Sequence, residues 1–335
     1  MLPFQNLSAD AANAYFAGGL HDELLTQLSK VASLKVISRT SVMGYQSASK
    51  TLKQIGDELG VGAVVEGSVQ VIGGRLRVHA QLIDAATDQH LWADTYDRTL
   101  DDAFAIQSDL AQNIVMAVGA ALSSDEKGRL AAAPTANAEA YRLYLQGQDY
   151  WKRPGYLKQN MELAQHLYEK AIALEPGFAL SHAALSQLHG QMNWFRYDPS
   201  ESRLIAQHRE AAVALRLAPD LPQAHYAMGR WYYYRRDWPR ALAEFEAATQ
   251  GLPNDSDLMS HIGFAYRRIG QWERVFSVYR KAGQLSPKDA NLAFDMAGQT
   301  LEFVRRYEDA AVEYGRAVAM QPDLHVARLF RGWLS

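Results

Sequence analysis

Ten histidines and 37 acidic side chains are the residues here that could hold a metal or move a proton. Their spacing argues against both. His182 and His189 stand seven apart and could share a helix face, but no third ligand accompanies them in sequence. His21-Asp22-Glu23 lacks the i, i+4 histidine pair of a helical zinc site. Asp94, Asp97, Asp101 and Asp102 cluster, and read as a solvated strand end followed by a helix N-cap. Gly60, Gly62 and Gly67 follow a helical pattern and precede a strand pattern. That order is the reverse of one that would set a phosphate on a helix N-terminus, so helix-stop and strand-entry roles are expected. Neither a Gly-x-Ser-x-Gly elbow nor a Walker-type loop occurs. Glu66 interrupts the apolar run Val64–Val69, where a charge needs water or a partner; an exposed sheet face or a pairing with Arg39 or Arg77 would account for it. No residue is expected to be catalytic, and neither metal nor cofactor is expected.

The bulk composition, 48% hydrophobic and 21% charged, fits ordinary globular domains, about two on the length prior. Net charge is −3: residues 1–133 hold 10 basic and 15 acidic side chains, residues 134–335 hold 24 and 22. No global basic field exists to recruit nucleic acid or an anionic membrane. No cysteine is present, so disulfides and thiolate sites are excluded while the compartment stays open. No apolar run reaches the roughly 18 residues of a membrane span, and Met1–Asp10 has no signal-peptide pattern.

Positional repetition is far stronger than any of these chemical signals. Pro219, Pro253, Pro287 and Pro322 recur at spacings of 34, 34 and 35 residues. One stretch reads Met228-Gly229, Tyr232, Trp238, Ala241, Phe245, Ala248, Pro253. The next reads Ile262-Gly263, Tyr266, Trp272, Val275, Tyr279, Ala282, Pro287. A third has Gly298, Leu301, Tyr307, Ala310, Tyr314, Ala317, Pro322. In each, a small residue of a first helix sits where a second helix approaches closely. The small residues of that second helix lie seven apart on one face, with an aromatic between them, and proline ends the unit. Two looser units precede these. Gly147 and Tyr150 with Ala164, Tyr168, Ala171 and Pro176 carry five extra residues around Arg153-Pro154-Gly155. Ala179–Pro219 is nine residues too long, the excess falling at Asn193–Ser200. There Trp194 and Phe195 are expected to plug a widened gap between repeats, a ligand-touching loop being the alternative.

These residues resemble the tetratricopeptide repeat (TPR), a stacked helix-turn-helix array. The resemblance implies that positions 2, 5, 9, 12 and 13 of each repeat line a ligand groove. In the unit starting at Pro222 these are Gln223, Tyr226, Arg230, Tyr233 and Tyr234. In the unit starting at Ser256 they are Asp257, Ser260, Phe264, Arg267 and Arg268. In the next they are Leu292, Asp295, Gln299, Glu302 and Phe303. Tyr226, Arg230, Tyr233, Tyr234, Phe264, Arg267 and Arg268 form the candidate binding set, because tyrosine and arginine favour binding hot spots. Such a groove suits a protein or peptide segment with carboxylates and an apolar anchor. Tyr232 is expected in the core, while Tyr233 and Tyr234 fit groove and solvated flank equally well. The clamp residues of known peptide-binding TPR proteins are not all present, so no ligand is inherited from them.

The amino-terminal third has a different periodicity. Ala14–Val31 reads as an amphipathic helix, Leu34–Val42 as a strand, Leu52–Leu59 as a helix stopped by Gly60. Ala63–Ile72 and Arg75–Ile83 read as strands joined at Gly73-Gly74, a strong hairpin signal; His90–Tyr96 is a further strand and Phe104–Leu122 a closing helix. The order β-α-β-α-β-β-β-α indicates an α+β domain with a mixed sheet. Leu2–Ser8, Tyr15–Leu24, Ser38–Val42, Glu66–Val69, Arg75–Val78, Gln81–Ala85 and His90–Arg98 resemble the TolB-like amino-terminal domain over nearly all of residues 1–122. In that family the domain commonly precedes TPR repeats. It often follows a winged-helix domain and membrane helix (CadC-like regulators), a nucleotide cyclase domain or a protein kinase.

The expected organisation is a TolB-like α+β domain at 1–122, a linker at 123–138, and an all-α TPR solenoid of four to five units at 139–335. Both ends read as cut, the last unit beginning at His325 and breaking off at Ser335. The expected function is a non-catalytic protein-interaction module, the sensory or regulatory part of a bacterial signalling or transcription-regulatory protein. The alternative is the regulatory portion of an adenylate cyclase or kinase whose catalytic domain lies upstream. An upstream membrane helix would place it in the periplasm; otherwise it would be cytoplasmic.

Overall fold

The computed structural model describes residues 1–335 except 11, 12, 14, 47, 48, 154, 325, 326 and 331–335, together with the side chains of Ala297 and Gln299. The expected start of a last unit at His325 therefore lies outside the described residues.

Strand β1 (Gln5–Asn6) runs parallel to β2 (Ala63–Ile72), which pairs antiparallel with β3 (Arg75–Asp84), which pairs with β4 (His90–Thr99). The β2–β3 turn is the two-glycine one. Gly73 and Gly74 both have positive φ, 54° and 77°, which suits the twist of a tight hairpin and which side chains would resist. Leu76, Val78, Ala80 and Leu82 alternate with exposed Arg77 and His79, so one sheet face is apolar. Helices α1 (Tyr15–Ser29) and α4 (Ala103–Ala117) cover it, with Phe16, Leu20, Leu24, Ile106, Leu110 and Ile114 completing the core.

The expected strand at Leu34–Val42 does not form. Residues 34–38 are irregular and Arg39–Val42 is a short helix, α2. The backbone partners of this segment come from the distant helical array instead: Ser38 N–H donates to the Leu285 carbonyl at 2.8 Å. Helix α3 (Leu52–Leu59) has a Thr51/Gln54 capping box and ends on Gly60 at φ 63°. Helix α5 (Ser124–Ala131), within the expected linker, buries Leu130 in the sheet-domain core.

Among the described residues, five helical pairs follow: α6 (Ala138–Trp151) with α7 (Lys158–Leu174), α8 (Ala179–Trp194) with α9 (Glu201–Leu217), α10 (Pro222–Tyr234) with α11 (Trp238–Thr249), α12 (Ser256–Arg268) with α13 (Trp272–Leu285), and α14 (Ala290–Met296) with α15 (Tyr307–Met320). Side-chain caps start several of them, Asn137, Ser200, Asp237 and Asp255 each accepting a backbone N–H. A methyl group on Gly147, Gly229, Gly263 or Gly298 would overlap Tyr168, Phe245, Tyr279 or Tyr314 respectively. Those aromatics are fully buried, so each glycine is the socket into which the second helix sets its ring. The last pair carries the 35-residue spacing, and its first helix passes into a π-helical turn at Ala297–Leu301, the i→i+5 geometry that absorbs one additional residue. The chain is thus an α+β amino-terminal unit with a mixed four-stranded sheet, followed by an all-α solenoid of TPR-type pairs.

The two units are in contact. Helix α1 lies on α6, where Gly18 faces Asp149 and Gly19 faces the Leu145 backbone. Asn254 Nδ2 donates to the carbonyls of Val31 and Leu34 at 2.9 and 2.7 Å, and Lys288 N–H donates to Ser41 Oγ at 3.0 Å. Buried Asp22 meets Arg39 at 2.6 Å, and Arg39 Nη1 donates to the Lys152 carbonyl at 2.7 Å. Burial pushes the Asp22 carboxyl up, but Lys152, His21 and Arg39 outweigh it and hold it below its ordinary range.

Candidate functional site

The first helices of successive pairs share a face, and polar side chains join them across it. Trp151 Nε1 of α6 donates to Gln191 Oε1 of α8 at 2.5 Å. Arg230 Nη1 of α10 reaches Gln187 Oε1 of α8 at 3.5 Å. The Tyr226 hydroxyl of α10 lies 2.9 Å from His261 Nδ1 of α12, and Arg268 Nε of α12 donates to the Tyr233 hydroxyl at 3.4 Å. The row arises because residues one repeat apart present the same face of equivalent helices.

The candidate set falls along this row at different depths. Tyr226, Arg230 and Tyr233 are buried, at 7%, 7% and 8% exposure. Tyr234, Phe264 and Arg267 are half-buried, and Arg268 is exposed. Arg230 sits between the Tyr226 and Tyr234 rings, 6.0 and 5.8 Å from their centroids, and its Nη2 donates to the Tyr234 hydroxyl at 2.8 Å. Arg267 lies 5.5 Å from the Phe264 ring, and Arg268 lies 5.9 Å from the Trp238 ring.

Tyr233, rather than Tyr232, is the core tyrosine of the run. The chain turns at the end of α10 so that Trp238, opening α11, closes over Tyr233 with rings 5.1 Å apart. Tyr232 stays half-buried beneath Arg240.

Charge around the row is unevenly held. His261 is crowded against Tyr226, Phe245 and Phe264. Burial and the Arg230 charge bring its pKa down to about 3, so it is a neutral imidazole. Burial raises Asp295 to about 6 against the pull of Arg267, and burial with Asp257 raises Asp255 to about 6.

Several functional-looking groups were not read from sequence. Gln187 and Gln191 belong to the unit whose insertion obscures its register. Gln207 is fully buried in α9 with both amide atoms unpartnered. The inserted segments do not plug a gap. Trp194 is 59% exposed and stacks on Tyr234, centroids 5.9 Å apart at 24°. Phe195 stacks on Tyr156 from the first insertion, 5.1 Å at 30°, and the Tyr197 hydroxyl donates to the Tyr156 carbonyl at 3.0 Å. Together they form an exposed aromatic shelf at the end of the row.

The other chemical candidates resolve into structure. His182 Nδ1 contacts Glu210 at 2.6 Å, while His189 contacts Arg203 at 2.9 Å. Asp97 is shared by Arg75 and Arg77. Glu66 accepts from its cross-strand neighbour Gln81 at 3.3 Å rather than pairing with Arg39 or Arg77, which are taken by Asp22 and Asp97. Asp102 stands at the N-cap of α4 without a side-chain capping bond, accepting from Thr99 instead. Among the described residues, no group of three His, Asp or Glu side chains could hold a metal ion, and no helix is long and apolar enough to cross a membrane.

No protein-family model matches the chain. It is 35% identical over 251 residues to "Putative adenylate cyclase 3" of Rhizobium meliloti (strain 1021), the match taking 74% of this chain and 41% of that protein. It is 24% identical over 168 residues to "Superkiller complex protein 3" of Mus musculus, covering 48% of this chain and 10% of that protein. The chain thus spans well under half the length of either curated relative. Among solved structures it is similar to a thermophilic TPR protein of Thermus thermophilus, with 14% identity, a TM-score of 0.48, and 58% of this chain against 98% of that one. A TPR protein of Parabacteroides merdae gives 15% identity and a TM-score of 0.43, over 70% and 82% of the two chains.

Proposed function

We propose that this chain is the non-catalytic regulatory part of a longer bacterial signalling protein whose output is cyclisation of ATP. Its TPR array takes a segment of a partner protein along the first-helix row. The amino-terminal unit, similar to TolB-like domains and bounded near residue 122, docks on the array and carries the bound state onward. The observation that carries this reading is the 35% identity over 251 residues to a protein named as an adenylate cyclase, of which 41% is matched. The same amino-terminal resemblance suits CadC-like regulators, but that similarity favours the cyclase output. The seam of Asn254, Ser38, Lys288 and Asp22 bonds between the two units supplies a route by which occupancy of the array could bias the sheet domain.

The test is a chimera. This chain replaces the region it matches in the Rhizobium protein, and cyclic AMP formation is measured beside a version with that region deleted. A rate that changes on deletion and returns with this chain is expected, while this chain alone forms no cyclic AMP. Cyclic AMP formed by this chain alone, or a chimera indifferent to the region, would overturn the reading.

A further inference from the structure

Arg230 is a buried cation without a counter-ion. Arginine keeps its proton in proteins, so the charge persists at 7% exposure. Its bonds go to a phenol and, at 3.5 Å, to the Gln187 amide; its Nε has no partner, and among the described residues it forms no ion pair. Asp257 is felt electrostatically but lies beyond ion-pair distance. A buried guanidinium held only by neutral groups is poised for an anion. Beside it a second group is also unsatisfied. A methyl on Gly190 would meet Gln207 Nε2 at 2.5 Å and Tyr234 Cε2 at 2.7 Å, so the orphaned Gln207 amide and the Tyr234 ring flank one spot.

The aromatic shelf adjoins this spot through the same ring, since Trp194 stacks on Tyr234 and Tyr234 binds Arg230. Exposed Arg196 directly follows Phe195 and exposed Arg236 lies two residues after Tyr234, both in the left-handed turn that follows a first helix, φ 62°, and neither in an ion pair among the described residues. Aromatic rings left half in water beside unpaired cations are complementary to a ligand that is apolar and anionic together.

We propose that Arg230 and the Trp194–Phe195 shelf form one two-part site for a carboxylate carried next to an apolar ring, supplied by a segment of a partner protein. This rests on the interaction-module reading and places its anchor at the junction of α8, α10 and the two insertions, instead of along the whole row. The carboxylate accepts from Arg230, and the neighbouring ring stacks on Trp194.

The experiment titrates the full chain with N-acetylphenylalanine, N-acetylphenylalaninamide, acetate and inorganic phosphate. It follows the Trp194 indole and Arg230 Nε–H resonances by NMR, assigned through Trp194→Phe and Arg230→Lys. The acid is expected to bind at least tenfold more tightly than the amide, with acetate and phosphate weaker than the acid. Trp194→Ala, at an exposed position, should weaken acid and amide alike by about tenfold. Arg230→Met should lower the acid to the affinity of the amide. Should that variant not fold, the acid-to-amide ratio on the native chain decides alone. Equal binding of acid and amide, or no effect of Trp194→Ala, would overturn the site. Acetate or phosphate binding as tightly as the acid would overturn the anchored segment in favour of a free-anion site. The chimera's cyclic AMP readout is independent of these probes, so failure of the site is distinguishable from failure of the regulatory reading.

Discussion

The regular repeat α12–α13 and the irregular repeat α8–α9 have the same architecture and opposite interiors. In the first, Gly263 makes room for the Tyr279 ring, and the ring contact is closed, with the Tyr279 hydroxyl buried at its tip. In the second, Ser186 and Ala211 occupy the corresponding places. No ring enters; Ser186 Oγ instead donates to the Gln207 carbonyl at 2.7 Å, and the Gln207 amide is left without partners. The repeat lacking the lock is also the one that carries the longer of the two insertions, the exposed tryptophan and the neighbour of the unpaired arginine. Where a periodic sequence breaks its own packing rule, the broken rule marks the place where binding competes with stability.

This contrast can be broken most directly at the lock. Gly263→Leu would drive a side chain into Tyr279, which is buried on every side. We expect a loss of about 3 kcal/mol or more in denaturant unfolding, against about 1 kcal/mol for Ser186→Ala, which removes one hydrogen bond. Equal losses would show that the glycine socket is not what holds the regular repeat. Gln207→Met should have the opposite sign. It deletes two buried unsatisfied atoms while keeping the volume, and is expected to raise stability by about 1–2 kcal/mol in the same assay. A destabilised variant would mean that the amide has partners in solution.

A smaller, pH-dependent effect separates the two repeats further. His261 falls to about 3 in the folded chain, below its ordinary 6.5, through burial and the charge of Arg230. The unfolded chain therefore binds the proton first as pH drops. This contribution is complete above pH 6.5 and is lost progressively as pH falls toward 3. His261→Gln should flatten that acid limb while leaving the slope above pH 7 unchanged, as read from melting temperatures across the range. An unchanged limb would assign the acid sensitivity elsewhere. Smallest of all, Lys158→Ala removes an exposed pair with Glu162 at 3.6 Å and should move the melting curve by under about 0.5 kcal/mol, insertion or no insertion nearby.

Particular residues show how far reading ahead could go. The 16-residue glycine-to-aromatic spacing announced three of the four sockets, and the second-helix pattern around Tyr168 announced the fourth across its insertion, because a helix pair has only one geometry in which those positions meet. The Gly73-Gly74 hairpin was equally legible, since few residues accept its dihedrals. Leu34–Val42 was misread, because β-prone residues say nothing about who supplies their backbone partners, and here the Leu285 carbonyl does. Among Tyr232, Tyr233 and Tyr234, consecutive identical residues point in three directions, and only the turn into α11 selects the one that is buried. The aromatic shelf was visible as Trp194 and Phe195 but not as a surface, since stacking on Tyr234 and Tyr156 joins residues 40 positions apart in one case and 39 in the other.

What the amino-acid order determined alone is therefore the periodic part: the recurring helix pairs, their glycine sockets, and a sheet hairpin. These depend on contacts within a repeat or a turn, where the chain's own spacing fixes which side chains meet. Tertiary structure decided the rest. It set a strand-like segment against the array, turned one additional residue into a π-helical turn, and buried Arg230 without an acid. Each of those outcomes depends on groups brought together from distant repeats, and distance along the chain carries no record of which of them will meet.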